Sequence, residues 1–421
     1  MSILQLSFKN IPVNNPWKLL TFAAMLKLAQ RVLAMEESAT LRMAQLARQL
    51  SSQGFDVINL SLGEPDFDTP EFIKEAAIES IRAGYTKYTQ VAGTLALRQV
   101  ISTKFQRDNA LHYPADSILV SNGAKQCFAN LCFACLEAGD EVILLSPYWV
   151  SYYEIIKLTG ATPICVHADV TTDYKPNLND LAAAITAKTK LLVFSSPCNP
   201  TGTVFTEQEL FSIAQILKPH PDLVVVSDEI YEYIQFGTQH FSIGSIDFLQ
   251  NRCVTINGFS KGFSMTGWRL GYMGGPKYII DACIKIQGQF TSGAASFSQQ
   301  AAIQALTSDL STAHEMCKAY ELRRDHLIQE LQKIPEFKIN QPKGAFYVLP
   351  DVSSLLGKRF ENTVMQDSED LALFILEHAK VAVVSGIAFG APHFIRISYS
   401  VSEEKITEAV NRMRKALDLL H

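Results

Sequence analysis

The 421-residue sequence lacks any long block of like charge: 37 basic residues stand against 42 acidic ones, for a net charge of −5. A nucleic-acid or membrane-surface protein would carry a basic stripe, so neither partner is expected. The longest uncharged apolar stretch near the start, Leu19 to Leu26, falls far short of the ~20 residues that span a bilayer. There is no G-x-G-x-x-G and no G-x-x-x-x-G-K-[ST], which removes the main support for a nicotinamide dehydrogenase or a P-loop enzyme. None of the nine histidines sits in an H-E-x-x-H, which argues against a zinc hydrolase. Cys132 and Cys135 form a C-x-x-C, but inside an apolar helical run and with no second pair to answer it. Buried helix cysteines are the ordinary reading, and eight cysteines in this length suit a reduced, cytoplasmic setting.

What is present is ample apolar content, 48% of residues, which excludes disorder. The length suggests two domains, because single cores stop growing near ~250–300 residues. Residues 1–35 hold Lys9, Lys18, Lys27 and Arg31 but no acid before Glu36. A presequence, an early start ahead of Met25 and an arm lying on a neighbouring subunit are all compatible with that composition, and residues 1–26 are taken as an N-terminal extension. From about residue 70, helical patterns (Pro70 to Ala83, Thr94 to Asn109, Glu207 to Leu217) alternate with strand-like runs such as "SILVSNG", "DEVILLSPYW", "KLLVFSS" and "DLVVVSDEIY". These strands are continuous apolar runs, the pattern of a parallel sheet covered by helices on both faces. The fold class is α/β. Past residue 310 the rhythm changes to a long charged helix, Ser311 to Leu331. Short strands follow around "FKINQP", "GAFYVLP", "VAVV" and "FIRISYS", with a last helix from Glu403 to Leu420. The expected division is a cofactor-binding domain over 70–310 and a smaller α+β domain over 311–421, completed by residues 27–69.

In a parallel α/β sheet, ligands bind beyond the carboxyl ends of the strands. This chain carries Gly123–Ala124–Lys125, Trp149, Asn199, Asp228 with Tyr231, and Ser260–Lys261 at those positions. The strand–glycine–helix junction at Gly123 offers free N–H groups and a positive dipole end, suited to a phosphate. Lys261 lies in a stretch with no other charge between Arg252 and Arg269, flanked by Phe259, Phe263, Met265 and Trp268. Desolvation there lowers an amine pKa and makes it a nucleophile able to form a Schiff base. Asp228 closes an apolar strand, where a carboxylate needs a cationic partner, although a helix cap is its structural alternative. Each residue alone has an ordinary explanation. Together they match what pyridoxal phosphate requires: a lysine for its aldehyde, an aspartate for its pyridine nitrogen and a helix N-terminus for its phosphate.

At this point the sequence resembles the class I aminotransferases of fold type I, and within them the bacterial-type aspartate aminotransferase subgroup. The motifs are "SLGEPDFDTP", "KYTQVAGTLALR", "SNGAKQ", "SPYWVSY", "SPCNPTG", "SDEIYE", "NGFSKGFSMTGWRLGY", "PKGAFYVLP" and "FIRISYS", running from about Leu28 to Leu420. The resemblance implies a large domain with a mostly parallel seven-stranded sheet and pyridoxal phosphate as cofactor. It implies a ping-pong exchange between an amino acid and a 2-oxo acid. By the same resemblance Lys261 is the Schiff-base lysine and general base, Asp228 meets the ring nitrogen, and Tyr231 and Asn199 meet the ring hydroxyl. Trp149 stacks on the ring. Phosphate contacts are implied for Gly123, Ala124, Lys125, Arg269 and, from a second subunit, Tyr88; Ser260 is either a further phosphate ligand or a helix cap. Arg396 and the Gly63 N–H grip the substrate α-carboxylate, with Asn199 and Trp149 beside it. A homodimer follows from the expectation that Tyr88 and residues near Thr291 act across an interface.

Three departures bear on substrate. Ser385 stands where proline is common, on a shortened approach to Arg396, which predicts a reshaped substrate mouth. Gly258 replaces a serine phosphate ligand found in some relatives. Glu36–Glu37 precede Ser38–Ala39–Thr40 where members accepting prephenate carry a lysine, which argues against prephenate. A dicarboxylate needs a second cation, and Lys125, helped by Thr291 and Ser292 from the partner subunit, fits. Aspartate or glutamate with 2-oxoglutarate is the first expectation; an alanine or aromatic aminotransferase and a C–S lyase of the same fold are the alternatives.

Overall fold

The computed structural model describes residues 27–237 and 239–421. The extension expected over 1–26 lies outside the described residues. A short helix, Gln30–Leu33, belongs to a separate unit, and Glu36–His421 form one compact unit.

The centre of that unit is a seven-stranded sheet. In chain order its strands are β1 (Ile118–Ser121), β2 (Glu141–Ser146), β3 (Thr162–His167), β4 (Thr189–Ser195), β5 (Val224–Asp228), β6 (Cys253–Gly258) and β7 (Gly271–Gly274). Their spatial order is β1-β7-β6-β5-β4-β2-β3. All neighbours are parallel except β7, which runs antiparallel to both β1 and β6.

The continuous apolar runs have a direct cause. Successive strand residues point to opposite faces, and both faces are covered. Val142 and Leu144 of β2, Leu191 and Val193 of β4, and Val226 of β5 enter one core, packed against helices Ala124–Cys135, Val150–Thr159 and Lys277–Phe290. Their alternates Ile143, Leu145, Leu192, Phe194 and Val225 enter another, under helix Glu207–Leu217. Truncating a fully buried member such as Leu192 to alanine costs about 2–5 kcal/mol. Helix Glu207–Leu217 begins with a capping box: the Thr206 hydroxyl accepts from Glu209 N and the Glu209 carboxylate accepts from Thr206 N, worth about 1 kcal/mol.

Outside this sheet, Ile58–Asn59 pairs in parallel with Val381–Ala382. Val384–Ser385, Ile395–Ser398 and Tyr347–Val348 form an antiparallel three-stranded sheet. Helices Ser311–Leu331, Ser368–Ala379 and Glu403–Leu417 accompany these strands. The strand expected around "FKINQP" does not form; only a single bridge joins Lys338 to Asp351. Pro342 has no N–H to donate, and Asn340 instead gives its side-chain amide to Asp173. Cys132 is fully buried in helix Ala124–Cys135, Cys135 is partly buried, and all eight cysteines are unpaired.

The sheet order reverses between β2 and β4: from β2 the chain moves outward to β3, and from β4 it moves the other way through β5 and β6. A crevice opens at the carboxyl ends of strands beside such a switch.

Candidate active site

A cavity of about 390 Å³ occupies this crevice, lined from nearly every element that ends there. It brings together Gly63, Ala124, Lys125, Trp149, Asn199, Asp228, Tyr231, Ser260, Lys261, Arg269 and Arg396. Gly123, which directly precedes Ala124, is not among the lining residues. Tyr88 is 99% exposed and is not among the lining residues of its own chain's cavity.

The Gly123 turn is fixed by sterics. Its φ is +93°, and a Cβ there would come within 2.5 Å of Arg269 Nη2. Only glycine meets both conditions. Arg269 itself adopts φ +52° and is tied by Nη1 to Thr266 O (2.8 Å) and by Nη2 to Asn122 O (3.3 Å). A guanidinium therefore lies beside the free N–H groups that open helix Ala124–Cys135, an arrangement that attracts anions.

Lys261 follows β6 and donates from Nζ to Gly63 O. The aromatic rings of Tyr231 and Phe346 lie 5.8 and 5.7 Å from its nitrogen. Burial pushes the amine down to about 8, with Arg396 and Arg269 adding to the shift and Glu64 and Asp228 opposing it. Asp228, at the end of β5, is buried and pushed up to about 6 by desolvation, although the Tyr152 hydroxyl donates to its Oδ2 at 2.5 Å. Its Oδ1 accepts from Ile230 N at 3.2 Å, so the capping alternative holds for one oxygen only. Among the described residues no ion pair reaches this carboxyl.

Arg396, on strand Ile395–Ser398, is 2% exposed. Nη1 donates to Asn199 Oδ1 at 3.0 Å and Nη2 to Ser61 O at 2.5 Å, while Nε is buried with no partner. Its guanidinium lies 4.6 Å from the Tyr347 ring centre and 5.0 Å from that of Phe389, and burial lowers its pKa. A buried cation with an orphan donor calls for an anion. Lys125 Nζ stands 5.1 Å over the Trp149 ring, and burial together with Arg269 lowers its pKa.

Two functional partners were not found by sequence reasoning: Tyr152, which holds Asp228, and Tyr347, whose hydroxyl is 2.8 Å from that of Tyr231. The only local signal was their presence within "SPYWVSY" and "PKGAFYVLP". Ser385 is buried, pairs with Ser368 Oγ at 2.9 Å and accepts from Ile387 N. It is absent from the cavity lining, so its position does not support the reshaped mouth expected from it. Thr291 is exposed and accepts from Gln126 Nε2 at 2.6 Å; neither it nor Ser292 lines the cavity.

A lysine, a buried carboxyl and two cationic groups thus meet at the switch point of a mostly parallel sheet covered on both faces. Residues 55–413 match the family model described as aminotransferase class I and II, and the chain belongs to that family. It is 45% identical over 401 residues to an aspartate aminotransferase of Pinus pinaster, covering 94% of this chain and 82% of that one. The crystal structure of the aspartate aminotransferase from Rhizobium meliloti superposes with a TM-score of 0.91 at 37% identity, over 94% of this chain and all (100%) of the other. The Thermus thermophilus aspartate aminotransferase with maleate gives a TM-score of 0.88 at 39% identity, over 93% and 100% of the two chains.

Proposed function

We propose that this aminotransferase uses pyridoxal phosphate to move the amino group of aspartate to 2-oxoglutarate, in two half-reactions on one site. The observation that carries the proposal is a pair of buried ionisable groups in the cavity: Asp228, which has no ion pair among the described residues, and Arg396, whose Nε has no hydrogen-bond partner there. The glycine cradle at Gly123 beside Arg269 fits the cofactor's phosphate, and Asp228 fits its ring nitrogen. When bound, pyridoxal phosphate supplies an aldehyde carbon for amine exchange and a ring that accepts electron density from the substrate Cα.

The chain's own residues do the rest. Lys261, with its pKa lowered to about 8, is available in part as a neutral amine that would hold the cofactor through its aldehyde carbon and, when free, would carry the proton of the substrate Cα. Asp228 would keep a proton at the ring nitrogen, Tyr231 and Asn199 would hydrogen-bond the ring hydroxyl, and Trp149 would cover the ring. The N–H groups of Ala124 and Lys125, with Ser260, Arg269 and Tyr88 of the partner subunit, would hold the phosphate; the Gly123 N–H expected to join them donates instead to Ser121 O at 2.8 Å. Arg396 binds the substrate α-carboxylate as a fork, joined by Gly63 N–H. Lys125 meets the distal carboxylate, which supports a dicarboxylic substrate, as does the maleate named with the Thermus relative. Glu36–Glu37 put acids where members accepting prephenate carry a lysine, so 2-oxoglutarate is preferred to prephenate as the oxo acid.

The parallel pairing of Ile58–Asn59 with Val381–Ala382 supports joining residues 36–69 to 311–421 in a small domain, with a large one over 70–310; residues 27–35, expected in the small domain, fall in the separate unit. A homodimer and a cytoplasmic setting belong to the same reading; the eight unpaired thiols suit the latter. Incubation with pyridoxal phosphate, ¹⁵N-aspartate and 2-oxoglutarate, followed by NMR, tests the reaction. Stoichiometric ¹⁵N-glutamate supports transamination. Ammonium released without glutamate would move the assignment to a lyase, and no turnover of aspartate would remove it as the donor.

A further inference from the structure

The turn after β5 divides its side chains between two sides. Asp228 and Tyr231 line the cavity, whereas Glu229 and Glu232 are buried in the protein at 1% and 7% exposure and do not line it. Glu229 Oε2 accepts from Ser242 Oγ at 2.6 Å and from Asn109 Nδ2 at 3.0 Å, and lies 2.8 Å from His240 Nε2. Its Oε1 accepts from Ser227 Oγ at 2.9 Å. Glu232 Oε1 pairs with the ammonium of Lys104, and its Oε2 accepts from Asn109 Nδ2 at 2.9 Å. Lys104 is 0% exposed and donates to Asn109 Oδ1 at 2.6 Å. Lys104 and Asn109 come from helix Leu95–Asn109, while His240 and Ser242 belong to the loop after the turn.

The ligand atoms of Glu229, Glu232 and His240 lie within 4.8 Å of one another, a spacing compatible with a metal ion. The Lys104 ammonium already serves as the cation for Glu232, however, and Asn109 bridges both carboxylates. Burial alone would raise Glu229, but the imidazole of His240 and the hydroxyls of Ser242 and Ser227 hold it below its usual value; Glu229 in turn raises His240 against desolvation. The cluster is thus a closed, charge-compensated network.

Buried ion pairs seldom add net stability over apolar packing, and their best-attested use is to fix one arrangement. The network's members stand next in sequence to two cavity residues: Glu229 follows Asp228, and Glu232 follows Tyr231. The backbone between them is pinned too, with Glu229 N donating to Ile256 O of β6 at 2.8 Å. We propose that Lys104, Asn109, Glu229, Glu232, His240 and Ser242 are positioning residues that hold the turn after β5 and so fix the approach of Asp228 and Tyr231 to the cofactor ring. This inference rests on the cofactor reading above.

The test is a double-mutant cycle of Lys104→Met and Glu232→Gln, with Ser242→Ala as a gentler variant should Lys104→Met fail to fold. Three quantities are measured: the Kd of the apoprotein for pyridoxal phosphate, the pH midpoint of the holoenzyme's visible band, and the apoprotein Tm. Lys104→Met is expected to weaken cofactor binding by about tenfold or more and to shift the midpoint by roughly half a pH unit; the double variant regains most of both, because no charge is left unpaired. Ser242→Ala moves the same two quantities in smaller measure. A lowered Tm with cofactor affinity and midpoint unchanged, in Lys104→Met or in Ser242→Ala, would make the network structural only and overturn the proposal. A wild-type protein with no visible band on adding pyridoxal phosphate would instead bring down the cofactor reading, and the proposal with it.

Discussion

An apoprotein offered pyridoxal phosphate over a range of pH reports directly on the amine of Lys261. An ordinary lysine with a pKa of about 10.5 is neutral in only about 0.03% of molecules at pH 7. Held at about 8, Lys261 is neutral in roughly a tenth of them, a gain of about 300-fold in the attacking species. Cofactor uptake, followed by stopped-flow absorbance, is therefore expected to rise with pH and level off just above 8. A free lysine derivative under the same conditions continues to rise towards pH 10. The neighbours give the sign of two further shifts. Glu64 raises the Lys261 pKa and Arg396 lowers it, so Glu64→Gln should move the break below 8 and Arg396→Gln should move it above. Folding follows the same linkage. The folded pKa lies below the unfolded one, so the unfolded chain binds more protons between about pH 8 and 10.5, and this group's contribution to apoprotein stability rises through that window. An uptake rate that climbs unbroken to pH 10, or a break indifferent to both substitutions, would refute the reasoning.

Arg396→Lys keeps the charge but loses the fork, and kcat/KM for aspartate should fall by about 10- to 150-fold, the equivalent of ~1.5–3 kcal/mol of charged hydrogen bonding. Lys125→Gln should lower kcat/KM for aspartate by roughly tenfold or more and leave alanine, which has no distal carboxylate, nearly unchanged; equal losses for both would remove Lys125 from substrate selection. If Tyr88 serves the partner's site, mixing Tyr88→Ala and Lys261→Ala subunits creates hybrids with one intact site each, and activity should recover to about a quarter of wild type after random exchange. Gly123→Ala forces a left-handed backbone and a clash with Arg269, and should weaken cofactor binding measured by fluorescence quenching by ~1–3 kcal/mol.

The parts of the molecule governed by local rules were legible in the sequence. Helices Glu207–Leu217 and Ser311–Leu331 fall where their patterns set them, and every run expected as a strand of the central sheet became one, because burial of both faces imposes an apolar run. Helices Val150–Thr159, Ser296–Thr307 and Ser368–Ala379 were missed, the second because it reads as a uniform polar–alanine stretch with few large apolar residues to mark a face. The eleven residues around the cavity were accessible because they sit at strand ends or in motifs of recognisable chemistry. Tyr152 and Tyr347 were not, since their partners Asp228 and Tyr231 lie 76 and 116 residues away. No pattern of spacing encodes a contact over that distance. The network behind the turn escaped for the same reason: Lys104 looks like one more charge on a helix until the fold buries it against Glu232.

The central claim is that one cavity holds pyridoxal phosphate on Lys261 and exchanges amino groups with a dicarboxylic amino acid. Its most direct test is the absorbance spectrum of the reconstituted protein before and after L-aspartate. The account predicts a band near ~420 nm that collapses to one near ~330 nm and returns on adding 2-oxoglutarate, with no such cycle in Lys261→Ala. A protein that binds the cofactor yet leaves its spectrum unchanged with aspartate, or that stays colourless after reconstitution, would contradict it.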